Sequence, residues 1–145
     1  ARVIAGAVED PELPPLTIAE LGVLRDVAAG PAGGVVARIT PTYSGCPANA
    51  VIALAVEAAL RDAGFDASVE TEWAPPWSSR DITAAGRARL AEMGIAPPPD
   101  GDAAPVCPRC GGARTAEISR FGATACKSLW RCADCLEPFE AFKRI

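Results

Sequence analysis

Two C-x-x-C pairs constrain the fold of this chain more than any other feature. Cys107 and Cys110 form the first pair, Cys132 and Cys135 form the second, and 21 residues separate the pairs. Each C-x-x-C spacing lets the backbone turn so that two sulfurs face one point, and two such turns supply four ligands for a tetrahedral ion. The chain has no histidine, which excludes a mixed Cys/His site. The pattern predicts a zinc ribbon with one structural ion held by these four cysteines.

Other uses of the same cysteines are open. A rubredoxin-like iron site and an iron–sulfur cluster also take four thiolates. Three disulfides in a secreted protein would use all six cysteines, but the N-terminal residues lack the apolar core of a signal peptide. A module of about 40 residues buries too little apolar surface to fold unaided, which favours a structural metal. Four protein ligands leave no open position for catalysis at the ion.

The chain before the cysteine pairs has the alternating signals of a small two-layer α/β domain. The predicted elements are a helical turn at 17–21 with Thr17 and Glu20 as a capping box, strands at 23–28, 35–40 and 65–73, a helix from Pro47 to just before Gly64, and a helix at 84–93 that ends at Gly94. The longest helix is the best defined, because Ile52, Val56 and Leu60 recur on one face.

A proline-rich segment divides the chain. We predict an α/β domain at 1–96, a stiff linker at 97–104 and the ribbon at 105–145. Ribbon strands are expected at 115–121, 126–131 and 139–143. The fold class is therefore α+β, a small two-layer α/β domain followed by a C-terminal β zinc ribbon.

The composition of the chain limits the kinds of partner that it can bind. The formal net charge of −4 argues against a nucleic-acid-binding protein, which needs a basic face for phosphates. No apolar run approaches the roughly 20 residues that span a bilayer, so no membrane contact is expected. We expect a cytoplasmic protein, and a homodimer is compatible with this composition.

Two cysteines lie outside the C-x-x-C pairs. Cys46 precedes Pro47, so we predict that it caps the longest helix, where free amides would stabilise a thiolate able to hold metal or act as a nucleophile. A small residue filling a strand-to-helix turn is the equal alternative. Cys126 is either a spare ligand, a reactive thiol beside Lys127, or a buried small hydrophobic residue, and the last is favoured.

Two tryptophans flank a rigid proline-containing loop. Trp73 and Trp77 are candidates for docking a partner, because tryptophan anchors are common in interfaces. They could equally form a lid over the core of the α/β domain.

Several segments, in order, resemble a known family. They are Asp10-Pro11-Glu12, the stretch 17–23, the loop 41–48 that contains Cys46-Pro47, and the segments 75–78, 94–98, 121–127 and 137–143. The first three resemble the small domain of iron–sulfur cluster assembly factors, with Tyr43, Ser44 and Gly45 lengthening the loop here. The whole set, with the ribbon, resembles the D-subunit family of the bacterial phenylacetyl-CoA epoxidase (ring 1,2-monooxygenase) system.

The resemblance implies a role in aerobic phenylacetate catabolism, a route of aromatic compound degradation. The oxygenase of that system is a di-iron protein fed by a reductase with flavin and a [2Fe–2S] cluster. Members of the D-subunit family are implied to be non-catalytic accessory proteins that assist cluster or iron delivery. In this chain Cys46 would handle a transient iron–sulfur cluster or iron, with Asp10 and Glu12 nearby and Cys126 as an aid. The reductase is the partner we expect first among the other components.

Other functions compete with this maturation role. A purely structural or docking protein of the complex would use the ribbon and the tryptophan loop as its interface. A thiol enzyme acting alone is disfavoured because no histidine can serve as a base for Cys46. A di-iron oxygenase site is excluded for the same reason, since it needs Glu and His on facing helices. A nucleic-acid-binding ribbon would reveal itself by salt-sensitive oligonucleotide binding.

Overall fold

The structure, a computed structural model, describes residues 1–145 except for the side chain of Ala32. The chain separates into two compact units, Ala1–Thr83 and Ala84–Ile145. Each unit has its own sheet, three-stranded in the first and four-stranded in the second. The predicted fold class, an α/β layer structure followed by a β ribbon, is confirmed.

The first unit is a mixed sheet covered by helices. Its elements are helix α1 (Arg2–Gly6), strand β1 (Leu24–Ala29), a 3-10 turn (Pro31–Gly33), strand β2 (Val35–Ile39), helix α2 (Ala48–Asp62), strand β3 (Ala67–Thr71) and a second 3-10 turn (Ser79–Asp81). Strands β1 and β2 form an antiparallel hairpin, and β3 returns parallel to β2 after α2. The order across the sheet is β1-β2-β3.

Helix α2 supplies much of the core of the first unit. Ile52, Val56 and Leu60 are buried, as their spacing predicts. They pack on a sheet whose central strand buries Ala37 and Ile39 completely. This packing fixes the N-terminal end of α2 beside the loop that follows β2.

The start of the chain differs in detail from the prediction. The Thr17 and Glu20 side chains make the predicted reciprocal capping bonds, at 2.9 Å from Thr17 N to Glu20 Oε2 and 3.2 Å from Glu20 N to Thr17 Oγ1. They close only a single helical turn, with Leu21 N donating to Thr17 O. The first helix is instead α1, which no sequence signal predicted.

The second unit is a four-stranded sheet with one helix. Its elements are helix α3 (Ala84–Glu92) and strands β4 (Ile95–Ala96), β5 (Thr115–Ser119), β6 (Lys127–Cys132) and β7 (Pro138–Phe142), in the sheet order β4-β7-β6-β5. The three predicted ribbon strands are β5, β6 and β7, joined antiparallel. Strand β4 pairs parallel with β7 and was not predicted.

The two-residue strand β4 ties α3 to the ribbon sheet. Ile95 aligns with Glu140 and Ala96 with Ala141. The segment 97–104, predicted as a linker, therefore lies within the second unit. The division into 1–96 and 105–145 stays a prediction about which parts fold independently. Every helix among the described residues falls short of the length and apolar character needed to cross a membrane.

Candidate metal centre and the Cys46 loop

The four cysteines of the C-x-x-C pairs converge. Their Sγ atoms all lie within 4.8 Å of one another, with 3.8 Å between Cys107 and Cys135 and 3.6 Å between Cys110 and Cys132. Cys107 and Cys132 are buried, Cys135 is half-buried and Cys110 is exposed. This is the one group of three or more potential metal-ligating side chains found within the described part of the chain.

The two C-x-x-C turns repeat one backbone geometry. Cys107 N donates to Gly112 O at 2.9 Å, and the corresponding Cys132 N donates to Glu137 O at 3.0 Å. The residue after each second cysteine adopts a left-handed conformation, with φ +74 at Gly111 and φ +65 at Leu136. Glycine takes this conformation freely, whereas leucine is strained in it, so the second turn was harder to anticipate.

Backbone amides point at the sulfurs from inside each turn. Gly112 N donates to Cys110 Sγ and Asp134 N donates to Cys132 Sγ, both at 3.4 Å. Such bonds favour the thiolate form that a metal requires. A Cβ at Gly112 would lie 2.3 Å from Asp134 Oδ2, so a larger residue there would displace that carboxylate.

The sulfur positions fit zinc. A tetrahedral ion with Zn–S bonds of about 2.3 Å places its ligands about 3.8 Å apart, as the sulfur pairs above are. The donor set is four thiols, and a small apolar cluster that contains Ala96, Phe139 and Ala141 surrounds Cys107 and Cys132. Cys107, Cys110, Cys132 and Cys135 would therefore hold a structural Zn²⁺, whose role is to fix the two turns against the sheet.

Electrostatics explain why a cation is needed. The backbone amide of Cys135, with that of Asp134, lowers the pKa of the Cys132 thiol to about 7. The amide of Gly112 acts in the same direction on Cys110, but hydrogen bonds with its neighbouring thiols raise the pKa of Cys110 to about 12. Four adjacent thiols thus do not all ionise by themselves, and a bound divalent ion is what stabilises four thiolates at this spacing.

Cys46 lies in the loop between β2 and α2, half-buried. Its N–H donates to Tyr43 O at 3.1 Å, and its carbonyl accepts from Asn49 N at 3.3 Å. Helix α2 begins at Ala48 with Pro47 as its N-cap, so the prediction that Cys46 occupies the cap is wrong by one residue. Pro47 itself has helical backbone angles, φ −68 and ψ −24, so helical geometry already begins directly after Cys46.

The pKa of Cys46 is shifted away from the thiolate, which was one of two equal alternatives for this residue. Burial raises the pKa of the Cys46 thiol, and the negative charges of Glu12 and Asp10 raise it further. The amide of Ala48 and the Thr42 side chain pull in the opposite direction without reversing the shift. At neutral pH the group is therefore a thiol, which a metal can deprotonate but which is not a free nucleophile.

Asp10 and Glu12 lie close enough to Cys46 for their charges to act on its thiol. Asp10 is 5% exposed, and its Oδ1 accepts the Glu12 amide at 2.8 Å, which fixes the turn that carries both carboxylates. Burial raises the pKa of Asp10 despite hydrogen bonds from the amides of Glu12 and Leu13. The charges of two acids from a distant part of the sequence thus act on the Cys46 thiol.

Two residues of this site were not identified as such from the sequence. Thr42 is buried and its side chain hydrogen-bonds with Cys46. Asn49 donates to Thr71 Oγ1 at 3.3 Å, while its buried Oδ1 has no hydrogen-bond partner among the described residues. Their place in or just after the loop 41–48, as polar residues beside a cysteine, is the signal that could have found them.

Cys126 lies apart from the four clustered cysteines and in a different unit from Cys46. It is buried in the second unit, and its sulfur lies 3.0 Å from Thr124 Oγ1. It is not one of the four clustered sulfurs. These observations favour the third alternative, a small hydrophobic residue in the core of the ribbon.

Trp73 and Trp77 differ in their exposure to solvent. Trp77 is only 4% exposed, and its Nε1 donates to Leu21 O at 2.9 Å, so it closes the core of the first unit and is unavailable as a docking anchor. Trp73 is 58% exposed and stays a candidate for partner contact.

Two protein families match this chain. Residues 6–71 match the iron–sulfur cluster assembly protein family, and residues 98–143 match the PaaD zinc beta ribbon domain. The first match covers the Cys46 site and the second covers the four clustered cysteines.

Comparisons with individual proteins agree with these family matches. The chain is 42% identical to the D subunit of "Putative 1,2-phenylacetyl-CoA epoxidase" of Escherichia coli (strain K12), over 95% of this chain and 87% of that protein. A crystal structure of a domain of unknown function, DUF59, from Bacillus anthracis superposes with a TM-score of 0.55 at 31% identity, covering 61% of this chain and 85% of that one. The chain therefore belongs to the family of phenylacetyl-CoA epoxidase D subunits, in which an iron–sulfur cluster assembly domain precedes a zinc ribbon.

Proposed function

We propose that this chain is a non-catalytic accessory subunit of a phenylacetyl-CoA epoxidase system and helps to deliver iron or an iron–sulfur cluster to another component. One observation carries the proposal. In a domain of the iron–sulfur cluster assembly type, the half-buried thiol of Cys46 lies within electrostatic reach of two carboxylates, Asp10 and Glu12. Thiolate and carboxylate donors both suit iron.

The chemistry asked of Cys46 is reversible binding of its cargo. When ferrous iron or an iron of a cluster forms a bond to Cys46 Sγ, the S–H bond breaks and the proton passes to solvent, with no change of oxidation state. The carboxylates of Asp10 and Glu12 would balance the positive charge that arrives. Because binding releases a proton from a thiol whose pKa is raised, the affinity for iron is expected to increase with pH.

The raised pKa also protects the resting site. Oxidation of cysteine proceeds through the thiolate, so a protonated thiol survives in air longer than an activated one. Transfer to an acceptor is then favoured by reprotonation of Cys46, which weakens its hold on the departing iron. This is the behaviour expected of a carrier rather than of an enzyme nucleophile.

A catalytic role in oxygenation has little support. The chain has no histidine, and the four sulfurs of the ribbon would fill a tetrahedral ion completely. The partners we propose are the other epoxidase subunits, above all the reductase that carries a [2Fe–2S] cluster.

The test compares cluster content of the reductase produced with different forms of this chain. Reductase is co-produced with wild type, Cys46→Ser or Cys126→Ser, purified without air, and assayed for iron, sulfide and visible absorption. We expect Cys46→Ser to fold normally and leave the reductase depleted of cluster, whereas the matched control Cys126→Ser supports normal loading. Full cluster content with Cys46→Ser would refute delivery through this thiol.

A docking protein without cargo is the second candidate. Exposed Trp73 favours it, as do Val51 and Leu54, which are exposed and lie three residues apart on one side of α2. In that case Trp73→Ala would weaken co-purification with the other subunits, and Cys46→Ser would change neither association nor cluster content.

A further inference from the structure

The second unit contains a groove that the zinc site and the Cys46 site leave unused. Its volume is about 580 Å³, within the range of about 300–1,000 Å³ typical of small-molecule sites. Strands β5, β6 and β7, the segment 99–105 and the C-terminal residues form its walls. Eight charged or aromatic side chains line these walls: Asp102, Glu117, Arg120, Phe121, Trp130, Phe142, Lys143 and Arg144.

Cations without acidic partners line this groove. Arg120 follows β5, is exposed, and has no ion-pair partner among the described residues. Lys143 Nζ donates to Ala125 O at 2.8 Å and lies 4.5 Å from the centre of the Phe121 ring. An ammonium has three donors, so Lys143 keeps capacity for a further acceptor. Arg144, also in the wall, is already paired with Asp102.

Aromatic surface lies beside these cations. Phe121 is 71% exposed, so its ring is accessible to a ligand. Trp130 is half-buried, and its Nε1 donates to Ser128 Oγ at 2.8 Å. Since the indole N–H is satisfied within the protein, the ring offers a ligand its apolar surface rather than a hydrogen-bond donor.

We propose that this groove binds an aromatic anion, with the ring against Trp130 and Phe121 and the anionic group at Arg120 and Lys143. The charges that line the groove favour an anion. Two cations, Arg120 and Lys143, form no salt bridge, whereas Glu117 is the one acid of the described wall that forms none. Two ligand sources share this chemistry in the setting of a phenylacetyl-CoA epoxidase. They are the adenosine bisphosphate part of coenzyme A and the arylacetic acid itself.

The experiment uses the full chain loaded with zinc. The indole N–H resonances of its three tryptophans are followed by NMR, and that of Trp130 is assigned with Trp130→Phe. The probes are adenosine bisphosphate from coenzyme A, phenylacetate, and inorganic phosphate as an anion without a ring, each up to about 5 mM.

Three variants make the test specific. Arg120→Ala should weaken binding about tenfold, as expected for losing a charged hydrogen bond. Glu117→Gln should strengthen it about threefold, because a repelling charge disappears. Arg131→Ala is the matched control: Arg131 follows Trp130 on β6, so its side chain projects from the opposite face.

The proposal is supported if either organic probe causes saturable shifts of the Trp130 resonance and if the affinities of the variants change as stated above. The organic probe that binds identifies the source of the ligand. The proposal is overturned if neither organic probe shifts Trp130. It is equally overturned if inorganic phosphate binds as tightly, or if Arg131→Ala and Arg120→Ala weaken binding alike. This inference rests on the proposed function only for the choice of probes. Because none of these variants changes Cys46, a negative binding result would not contradict the proposed delivery of iron or a cluster.

Discussion

Replacement of Cys132 by alanine should unfold the ribbon while leaving the first unit intact. Cys132 is wholly buried and contributes both a sulfur to the metal centre and surface to the small apolar cluster around it. Two of the five buried members of that cluster, Cys107 and Cys132, are themselves ligands. Without the ion, little apolar surface remains to hold the two turns against the sheet.

The magnitude follows from the metal rather than from the lost side chain. Structural zinc in small modules contributes about 10–16 kcal/mol of apparent binding free energy at neutral pH. Whole domains are stable by only about 5–15 kcal/mol. The whole zinc contribution is therefore as large as the stability of an entire domain, and a small ribbon that loses it is expected to unfold.

The assay is zinc content together with the near-ultraviolet circular dichroism of Trp130, which packs against the cluster. Cys126→Ala is the control, since it removes an equally buried thiol that binds no metal and should cost about 1 kcal/mol with zinc retained. Stoichiometric zinc and an unchanged Trp130 signal in Cys132→Ala would refute the reasoning.

Two further predictions concern the stability of each unit. Trp77→Phe should cost about 2 kcal/mol in urea unfolding, because Leu21 O loses its buried donor, whereas Trp73→Ala should stay within about 0.5 kcal/mol; equal costs would contradict this. Burial raises the pKa of Glu140, but the Ala123 amide and Lys127 outweigh it and lower the pKa. The ionised Glu140 therefore stabilises the fold above the ordinary carboxyl pKa, and this stabilisation is lost as the pH falls through the lowered pKa. Lys127→Met should shrink this acid-induced loss of stability, measured by thermal unfolding between about pH 5 and pH 3.

The features that could be predicted well from the sequence are those decided by local chemistry. The C-x-x-C spacing dictates how each turn presents its sulfurs, so the ligands of the ribbon could be named before the fold was known. The face of α2 marked by Ile52, Val56 and Leu60 is similarly local, because helical geometry alone brings those side chains together. Gly64, with φ +87, ends that region as expected for a left-handed residue.

The features that could not be predicted depend on tertiary contacts. Helix α1 has five residues, no side-chain cap and no acidic first turn, so nothing local marks it. It is held by packing, and a Cβ on Gly6 would lie 3.1 Å from the Ala19 Cβ. Strand β4 has two residues and thus no periodicity, and it exists because β7 offers an edge for pairing.

Cys46 shows why the residues next to a thiol in the sequence do not decide its pKa. The helix end and its amides argue for a thiolate, and the amide of Ala48 does lower the pKa. Burial and two carboxylates from the start of the chain outweigh it, and neither is visible in the residues around Cys46. The raised pKa agrees with the proposed carrier role, because incoming iron would have to displace a proton from Cys46 before binding to its sulfur.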